Sequence, residues 1–274
     1  ELIRVLGIEQ LNRDILKTLE LYSDQNGFNN AAALLADTNS FKGIDIIRFG
    51  NSINEIMERK SLENISILLQ MEQCIQMFHQ YYRYEKIEGM DRKSVDKIPE
   101  RDFREAVANA LVHRMWDIPA SIKISMYSDK IEISSPGGLP AGISEDEYLN
   151  GQISLLRNPI IGNVFFRLKY IEKFGTGIMR INYAYKDALI KPDYHIFSNS
   201  IQIILPVIKS DYKLNETEKK LLNILKINGS MTRNEIEKAA EIDKSKAIRG
   251  LNRLIEKKMI QKRDLGRGTK YEIV

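Results

Sequence analysis

The sequence predicts an α/β (α+β) architecture: a sandwich of a mostly antiparallel sheet with helices on one face, followed by a winged helix-turn-helix. Three observations support this fold class. Apolar residues alternate in short segments of the middle third, helix-start signals stand between those segments, and capped helices followed by short strands fill the last 64 residues. With 274 residues, of which 43% are hydrophobic, the chain has enough apolar material for about two domains.

Residues 1–97 read as an α/β segment. The run 44–49 partly alternates and predicts a strand. Apolar residues recur at three- and four-residue steps over 62–84, which predicts an amphipathic helix.

Residues 98–208 open with Pro99 and Glu100, a typical helix start, and the helix is predicted to run to Arg114. Alternation over 121–127 and again at Ile131 and Ile133 predicts a hairpin. The sequence Ser135-Pro136-Gly137-Gly138 cannot continue as a regular strand.

The rest of this range predicts two helices and a second hairpin. Asn158 and Pro159 look like an N-cap and a first-turn proline, and that helix is predicted to end near Gly175-Thr176-Gly177. The next helix should place Ile178, Ile181, Tyr185 and Leu189 on one face, and 194–197 should pair with 201–205.

Residues 211–274 carry the clearest pattern. A helix over 216–226 is stopped by Asn228-Gly229, and Thr232 and Glu235 predict a capping box that opens a second helix. Asp243 should cap a third helix running to about 258, and two short strands are expected over 259–262 and 270–273. This order is that of a winged helix-turn-helix.

The same segment is basic. It holds 11 Lys and 5 Arg against 10 acidic residues, a net charge of +6, whereas residues 1–210 have a net charge of −2. The segment therefore favours double-stranded DNA as a partner, with a homodimer expected because such regulators often read two-fold sites. The alternatives are a merely solvated helix face, or a module that binds only protein. The candidate DNA contacts are Lys244, Ser245, Lys246, Arg249, Arg253 and Lys257 on the third helix, and Lys262, Arg263, Arg267 and Lys270 in the wing.

A second constellation lies on the helix after Pro99. Glu105 and Asn109 are four residues apart and share one helical face, which His113 continues. A carboxylate and an amide so placed could orient a water and hold Mg²⁺. Two glycine clusters follow, at 135–138 after a strand and at 175–177 before a helix, where backbone N–H groups bind anions. Taken singly, these features would be a polar helix face and two turns.

Together these residues resemble the GHKL ATPase fold of gyrase, the 90-kDa heat-shock chaperone, histidine kinases and MutL. More closely, the chain resembles a bacterial family of transcriptional regulators often labelled RecG-related or "ATP-dependent DNA helicase-like". The segments that carry this resemblance are REAVANALVHR, KIEISSPGGLP, LLRNPIIGNVFF, YIEKFGTGIMRI and GRGTKY. The family layout is a Schlafen/AlbA-type DNA-binding domain, a GHKL-like domain and a winged helix, so residues 1–97 are expected to follow a Schlafen/AlbA-type domain absent from this sequence.

The resemblance implies roles for individual residues. Glu105 would be the general base and Asn109 the Mg²⁺ ligand, with ATP as the nucleotide. The residues expected to contact that nucleotide are Asn109, Ser135, Gly137, Gly138, Gly175, Thr176 and Gly177. GHKL ATPases carry an Asp that reads the adenine amino group where this chain has Ser135, and a hydroxyl lacks the charge-assisted acceptor.

Other features limit the possible functions. The chain has no Walker A loop, Gly-x-x-x-x-Gly-Lys-Ser/Thr, so we do not expect it to act as a helicase motor. No apolar run approaches the roughly 18 residues of a membrane span. The single Cys74 cannot form an internal disulfide, which favours a cytoplasmic location. The expected function is a DNA-binding transcriptional regulator with an ATP-binding domain; the alternatives are an active Mg²⁺-dependent ATPase and a non-catalytic interaction scaffold.

Overall fold

The structure is a computed structural model. It describes residues 1–152, 155–171, 175–188, 190–208, 214–257, 259–264 and 269–273. The chain divides into two compact units, Glu1–Ile208 and Lys209–Val274. Among the described residues, no helix is long and apolar enough to cross a membrane.

The first unit mixes helices with strands. Its helices are α1 (Leu2–Leu6), α2 (Arg13–Thr18), α3 (Asn30–Leu35), α4 (Ile67–Tyr82), α5 (Glu100–His113), α6 (Glu145–Leu149), α7 (Pro159–Arg167) and α8 (Gly177–Ala184). Its strands are β1 (Tyr22–Ser23), β2 (Gly27–Phe28), β3 (Ile44–Phe49), β4 (Ile56–Leu62), β5 (Arg83–Glu88), β6 (Asp91–Asp96), β7 (Ile122–Met126), β8 (Lys130–Pro136), β9 (Asp193–Phe197) and β10 (Ser200–Pro206).

A six-stranded sheet in the order β4-β3-β7-β8-β10-β9 forms the centre of this unit. All neighbouring strands are antiparallel except β3 and β7, so the predicted mostly antiparallel sheet is confirmed. Because β3 pairs with β7, the ranges 1–97 and 98–208 share one sheet and one unit. Both hairpins predicted for the second range are present.

Two long helices contribute most of the helical side of the core. The buried apolar side of α4 packs on α5, where the rings of Phe78 and Phe103 stack with centroids 4.7 Å apart. The helix predicted from residue 62 begins at Ile67, because residues up to Leu62 pair in β4 and Ser66 caps α4 by accepting from Leu68. Between α4 and α5 lies the hairpin β5–β6, which the sequence did not predict.

The helix after Pro159 is shorter than predicted. α7 ends at Arg167, not near Gly175, because Lys169 adopts a left-handed backbone with φ 58° and ends the helix without a glycine. In the following helix α8, Ile178 and Ile181 are buried, as is Tyr185 just beyond it. Leu189, predicted for the same face, lies outside the described residues.

The second unit is a winged helix-turn-helix, as predicted. Its elements are α9 (Glu216–Asn228), β11 (Met231–Thr232), α10 (Arg233–Ala240), α11 (Lys244–Glu256), β12 (Ile260–Asp264) and β13 (Thr269–Ile273). The strands form one sheet in the order β11-β13-β12. The capping box of Thr232 and Glu235 and the cap at Asp243 are both confirmed. Residues 265–268, which include the predicted contact Arg267, lie outside the described residues.

Candidate functional site

Helix α5 places Glu105 and Asn109 one turn apart on the same face, both half-buried. The Asn109 amide nitrogen donates to Glu105 Oε1 at 3.2 Å. Because the amide nitrogen makes this contact, the amide oxygen is the Asn109 atom suited to bind a hard cation such as Mg²⁺. Within the described part of the chain, no group of three or more His, Cys, Asp or Glu side chains could hold a metal. A Mg²⁺ ion here would therefore depend on phosphate oxygens as well as on Asn109.

The second glycine cluster lies directly against this pair. A methyl group built on the α-carbon of Gly177 would overlap Glu105 Oε1 and lie 3.1 Å from the Asn109 amide nitrogen. Glycine at this position therefore lets the N-terminus of α8 approach α5. The Thr176 hydroxyl just before α8 is buried and has no hydrogen-bond partner among the described residues. Gly175 supplies a left-handed turn with φ 64°.

The first glycine cluster is built differently. The buried Ser135 hydroxyl donates to the carbonyl of Ala110 at 2.8 Å, so its own proton is committed within the fold. Gly137 has φ 106°, and a methyl group there would overlap the guanidinium of Arg157. A methyl group on Gly138 would overlap the carbonyl oxygen of Ser198. Both glycines are therefore required by neighbouring protein groups, whatever they contact besides.

A cavity of about 40 Å³ lies between α5, the sheet and α8. Predicted nucleotide residues Asn109, Ser135 and Gly137 line it, whereas Glu105, Gly138, Gly175, Thr176 and Gly177 do not. Most other lining residues are apolar or aromatic: Ala106, Ala110, Ile133, Tyr148, Ile178, Ile181, Tyr194, Ile201 and Ile203. His113 also lines the cavity, and burial with the nearby Arg157 lowers the pKa of His113 to about 4, so its imidazole is neutral at pH 7.

Arg157 and Asn158, which directly precede α7, bind carbonyl groups at the C-terminal end of α5. The Arg157 guanidinium donates to the carbonyls of His113 and Gly138, at 2.9 and 2.7 Å. The Asn158 amide donates to the carbonyls of Val112 and Arg114, at 2.7 and 2.8 Å. The predicted N-cap role of Asn158 is wrong in its chemistry, because its side chain makes no capping bond to α7. It instead satisfies the last carbonyls of α5.

One buried carboxylate near this site has no predicted role. Asp102 lies in the first turn of α5 and is 3% exposed, and its Oδ2 atom has no hydrogen-bond partner within the described residues. Burial raises the pKa of Asp102 to about 7, and the charge of Glu105 adds to the shift.

The second unit presents a polar face on α11. Ala247, Gly250, Leu251 and Leu254 are buried, and the exposed Ser245, Arg249 and Asn252 recur on the opposite side at steps of four and three. Lys244 and Lys246 stand exposed at its N-terminal end. The sequence reasoning missed Asn252 because it searched for positive charge, although the helical spacing from Arg249 was visible.

Arg253 and Lys257 face a different neighbour. Glu218 of α9 is 1% exposed, and Lys257 Nζ binds its Oε2 at 2.7 Å while Arg253 Nη1 lies 3.8 Å from its Oε1. Glu218 also completes the capping box of α9 with Asn215. These two basic residues, predicted as DNA contacts, are therefore also partners of a buried carboxylate.

The wing carries the remaining predicted contacts. Arg263 and Lys270 are directly opposite in β12 and β13, which concentrates positive charge there. Arg263 also binds Glu272 at 2.6 Å, and Lys262 Nζ lies 6.0 Å from the ring centroid of Tyr271.

Two known families match separate ranges of the chain, one within residues 1–208 and one at the C-terminal end. Residues 120–205 match the family described as "Putative ATP-dependent DNA helicase recG C-terminal", and residues 208–274 match "Sugar-specific transcriptional regulator TrmB". The chain is therefore similar to a RecG-related ATPase-type domain over the first range and to a TrmB-type regulator over the second. This combination is the one that the sequence motifs predicted. The RecG-related match contains both glycine clusters but begins after α5, so Glu105 and Asn109 lie outside it.

A solved structure shares the fold. The crystal structure of the DIP2311 protein from Corynebacterium diphtheriae is 18% identical, with a TM-score of 0.64 over 97% of this chain. The present chain spans 58% of that protein's chain. The comparison with curated proteins gave no match.

Proposed function

We propose that this chain regulates transcription by inserting α11 of its TrmB-type winged helix into the major groove of double-stranded DNA. The observation that carries the proposal is the exposed face of Ser245, Arg249 and Asn252, opposite the buried stripe of the same helix. Arginine pairs with guanine O6 and N7, and asparagine pairs with adenine N6 and N7. This face therefore offers side chains for reading bases.

The surrounding basic residues suit the DNA backbone. Lys244 and Lys246 lie at the N-terminal end of α11, and Lys262, Arg263 and Lys270 belong to β12 and β13. Arg267, predicted as a fourth contact of this hairpin, lies outside the described residues. Such residues fix the register of the protein on the duplex without reading sequence. We assign them to phosphate contacts.

The proposal is tested by titrating a labelled duplex at several salt concentrations. Replacing Lys244, Lys246 and Arg249 together by Ala should weaken binding and lower the salt slope by about 0.9 for each phosphate that the variant no longer neutralises. The matched control replaces Lys219, Lys220 and Lys226 of α9 by Ala, which removes the same charge from another helix of the unit. An unchanged slope in the α11 variant, or an equal fall in the control, would refute the assignment.

A second proposal concerns the first unit, where we infer that ATP binds with Mg²⁺. The close approach of Gly177 to Glu105 and Asn109 supports this, since it brings the N–H groups at the start of α8 next to a carboxylate and an amide. Asn109 would hold Mg²⁺ through its amide oxygen, and the unpartnered Thr176 hydroxyl is a donor suited to a phosphate oxygen. The other predicted nucleotide residues, Ser135, Gly137, Gly138 and Gly175, remain part of this proposal.

Thermal-shift titration tests nucleotide binding. A ligand at 100 times its Kd stabilises a protein by about 2.7 kcal/mol. We expect a Mg²⁺-dependent rise in Tm with ATP or ADP that is abolished in Asn109→Ala and kept in Asn150→Ala, whose amide donates to the carbonyl of Asp146 one turn earlier. No shift with ATP, ADP or GTP would leave the first unit as an interaction scaffold.

Hydrolysis is a separate question from binding. Glu105 is placed to accept a proton from a water at the start of α8, and a positioned base contributes about 10²–10⁴ in rate. Equal turnover of ATP in wild type and Glu105→Gln would exclude this role.

We further propose that the protein acts as a homodimer in the bacterial cytoplasm, which light scattering and cell fractionation would test.

A further inference from the structure

The cavity beside Asn109 is too small for a nucleotide. Its volume of about 40 Å³ has room for a few waters, whereas ordinary ligand sites measure about 300–1,000 Å³. Most of its walls belong to α5, β8, β10 and α8, and several of their lining side chains, among them Ile133 and Ile181, are part of the core. A nucleobase that enters the cavity must therefore displace one of the lining groups.

Tyr148 is the lining group that can leave at the lowest cost. It comes from α6, a five-residue helix in which no residue is fully buried. Its hydroxyl makes no hydrogen bond to the described part of the chain, so no hydrogen bond from those residues holds the ring in place. Short elements with little buried surface open most readily.

The cavity that Tyr148 helps to line suits a flat ring with one polar edge. Ile133, Ile178 and Ile203 supply apolar walls, and Asn109 and His113 supply neutral polar groups. Burial raises the pKa of Tyr148 to about 12, so the ring remains an uncharged phenol. A nucleobase is likewise flat and uncharged, with polar atoms along its edge.

We propose that Tyr148 holds the place of a nucleobase in this cavity, and that α6 must move outward before a nucleotide binds. This inference rests on the nucleotide binding proposed above. In the observed arrangement the chain just after α6 packs closely on the chain just before α8. A methyl group on Gly151 would lie 2.9 Å from the carbonyl oxygen of Gly175. Closing α6 therefore brings the chain after it onto the glycine cluster before α8.

The expected effect follows from the populations of the two arrangements. The measured Kd equals the intrinsic Kd divided by the fraction of molecules with an open cavity. Minor states are commonly populated at about 0.1–10%, so removing the ring should tighten binding about tenfold or more. A side chain that instead stacked on the base would give the opposite result.

Calorimetric titration of the whole chain with ATP and with ADP, each with Mg²⁺, tests the proposal. Tyr148→Ala should bind about tenfold or more tightly, whereas Tyr148→Phe should bind like wild type because it keeps the ring. The control Tyr183→Ala removes a tyrosine of α8 that is 68% exposed and should change nothing. Weaker or unchanged binding in Tyr148→Ala would overturn the proposal.

Hydrogen exchange supplies a second readout on the wild-type chain. Saturating ATP should speed amide exchange over residues 144–151, since α6 leaves the cavity. Slower exchange there would show that α6 closes over the nucleotide, which contradicts the proposal. If neither nucleotide binds to wild type or to Tyr148→Ala, nucleotide binding itself fails; if wild type binds and Tyr148→Ala gains nothing, only the role of Tyr148 fails.

Discussion

Gly177 packs its α-carbon against the carboxylate of Glu105, 72 positions earlier in the chain. Any larger residue at the start of α8 would displace the Glu105 side chain. The two sequence motifs that pointed to nucleotide chemistry are thereby brought into one place, on the facing sides of α5 and α8.

The substitution Gly177→Ala should disturb nucleotide binding without a large change in stability. The free energy of unfolding should change by no more than about 1 kcal/mol, because Ala favours helix and the Glu105 side chain can swing aside. The Tm increase caused by ATP and Mg²⁺ should nevertheless disappear. Gly162→Ala in α7, where the neighbour is a movable Leu156 methyl, should keep that increase. An unaltered ATP response in Gly177→Ala would contradict the proposal that the nucleotide binds where Gly177 approaches Glu105 and Asn109.

Asn158→Ala should destabilise the first unit by about 1–3 kcal/mol, since it leaves the carbonyls of Val112 and Arg114 without their partner. Urea unfolding measures the loss. Asn150→Ala removes an exposed hydrogen bond that the Asn150 side chain makes at the end of α6. Its free energy of unfolding should stay within about 0.5 kcal/mol of wild type. A similar effect of the two substitutions would show that Asn158 does not stabilise the end of α5.

Asp102→Asn should alter the pH dependence of stability. The pKa of Asp102 is about 7 when folded and near 3.9 when unfolded, so the folded state binds more protons between these values. Protonated Asp102 therefore stabilises the fold at low pH, and this contribution is lost as pH rises towards 7. Relative to wild type, Asp102→Asn should gain up to about 4 kcal/mol between pH 4 and pH 7.

Urea unfolding at pH 4.5, 6 and 8 checks this difference. His113 contributes a slope of opposite sign, because its lowered pKa makes stability rise between about pH 4 and 6.5. Comparing the two chains at each pH removes that contribution. Asp187→Asn, at an exposed carboxylate, is the matched control substitution. A pH-independent difference for Asp102→Asn would contradict the shifted pKa.

Glu218→Ala should destabilise the winged helix by about 1.5–3 kcal/mol, since it removes a buried carboxylate that binds Lys257 and caps α9. The unfolding transition of the second unit within the whole chain measures this. Glu216→Ala, also in the first turn of α9 but with a side chain 90% exposed, should cost much less. Equal losses would mean that the buried ion pair contributes nothing.

Local chemistry was predictable from the sequence, and long-range partners were not. The capping box of Thr232 and Glu235 depends on residues three apart, so its pattern was visible. Asn158 matched the N-cap pattern, yet its partners lie 44–46 residues earlier. Ser135 likewise bonds to Ala110 across 25 residues, which no spacing rule reveals.

The α11 face shows the same limit. Helical spacing placed Arg253 and Lys257 among the basic residues of the helix, but their neighbour Glu218 comes from α9. The left-handed backbone at Lys169 that ends α7 also had no signal, since the residue is not glycine.

The central claim is that the exposed face of α11 reads DNA. It is tested most directly by measuring the affinity of one labelled duplex for wild type, Arg249→Ala and Arg253→Ala at fixed salt. Arg249→Ala should lose about 1–3 kcal/mol of binding free energy, the value of a good bidentate base contact, and Arg253→Ala should lose less because Arg253 leans towards Glu218. Undiminished affinity in Arg249→Ala, or a larger loss in Arg253→Ala, would contradict the account.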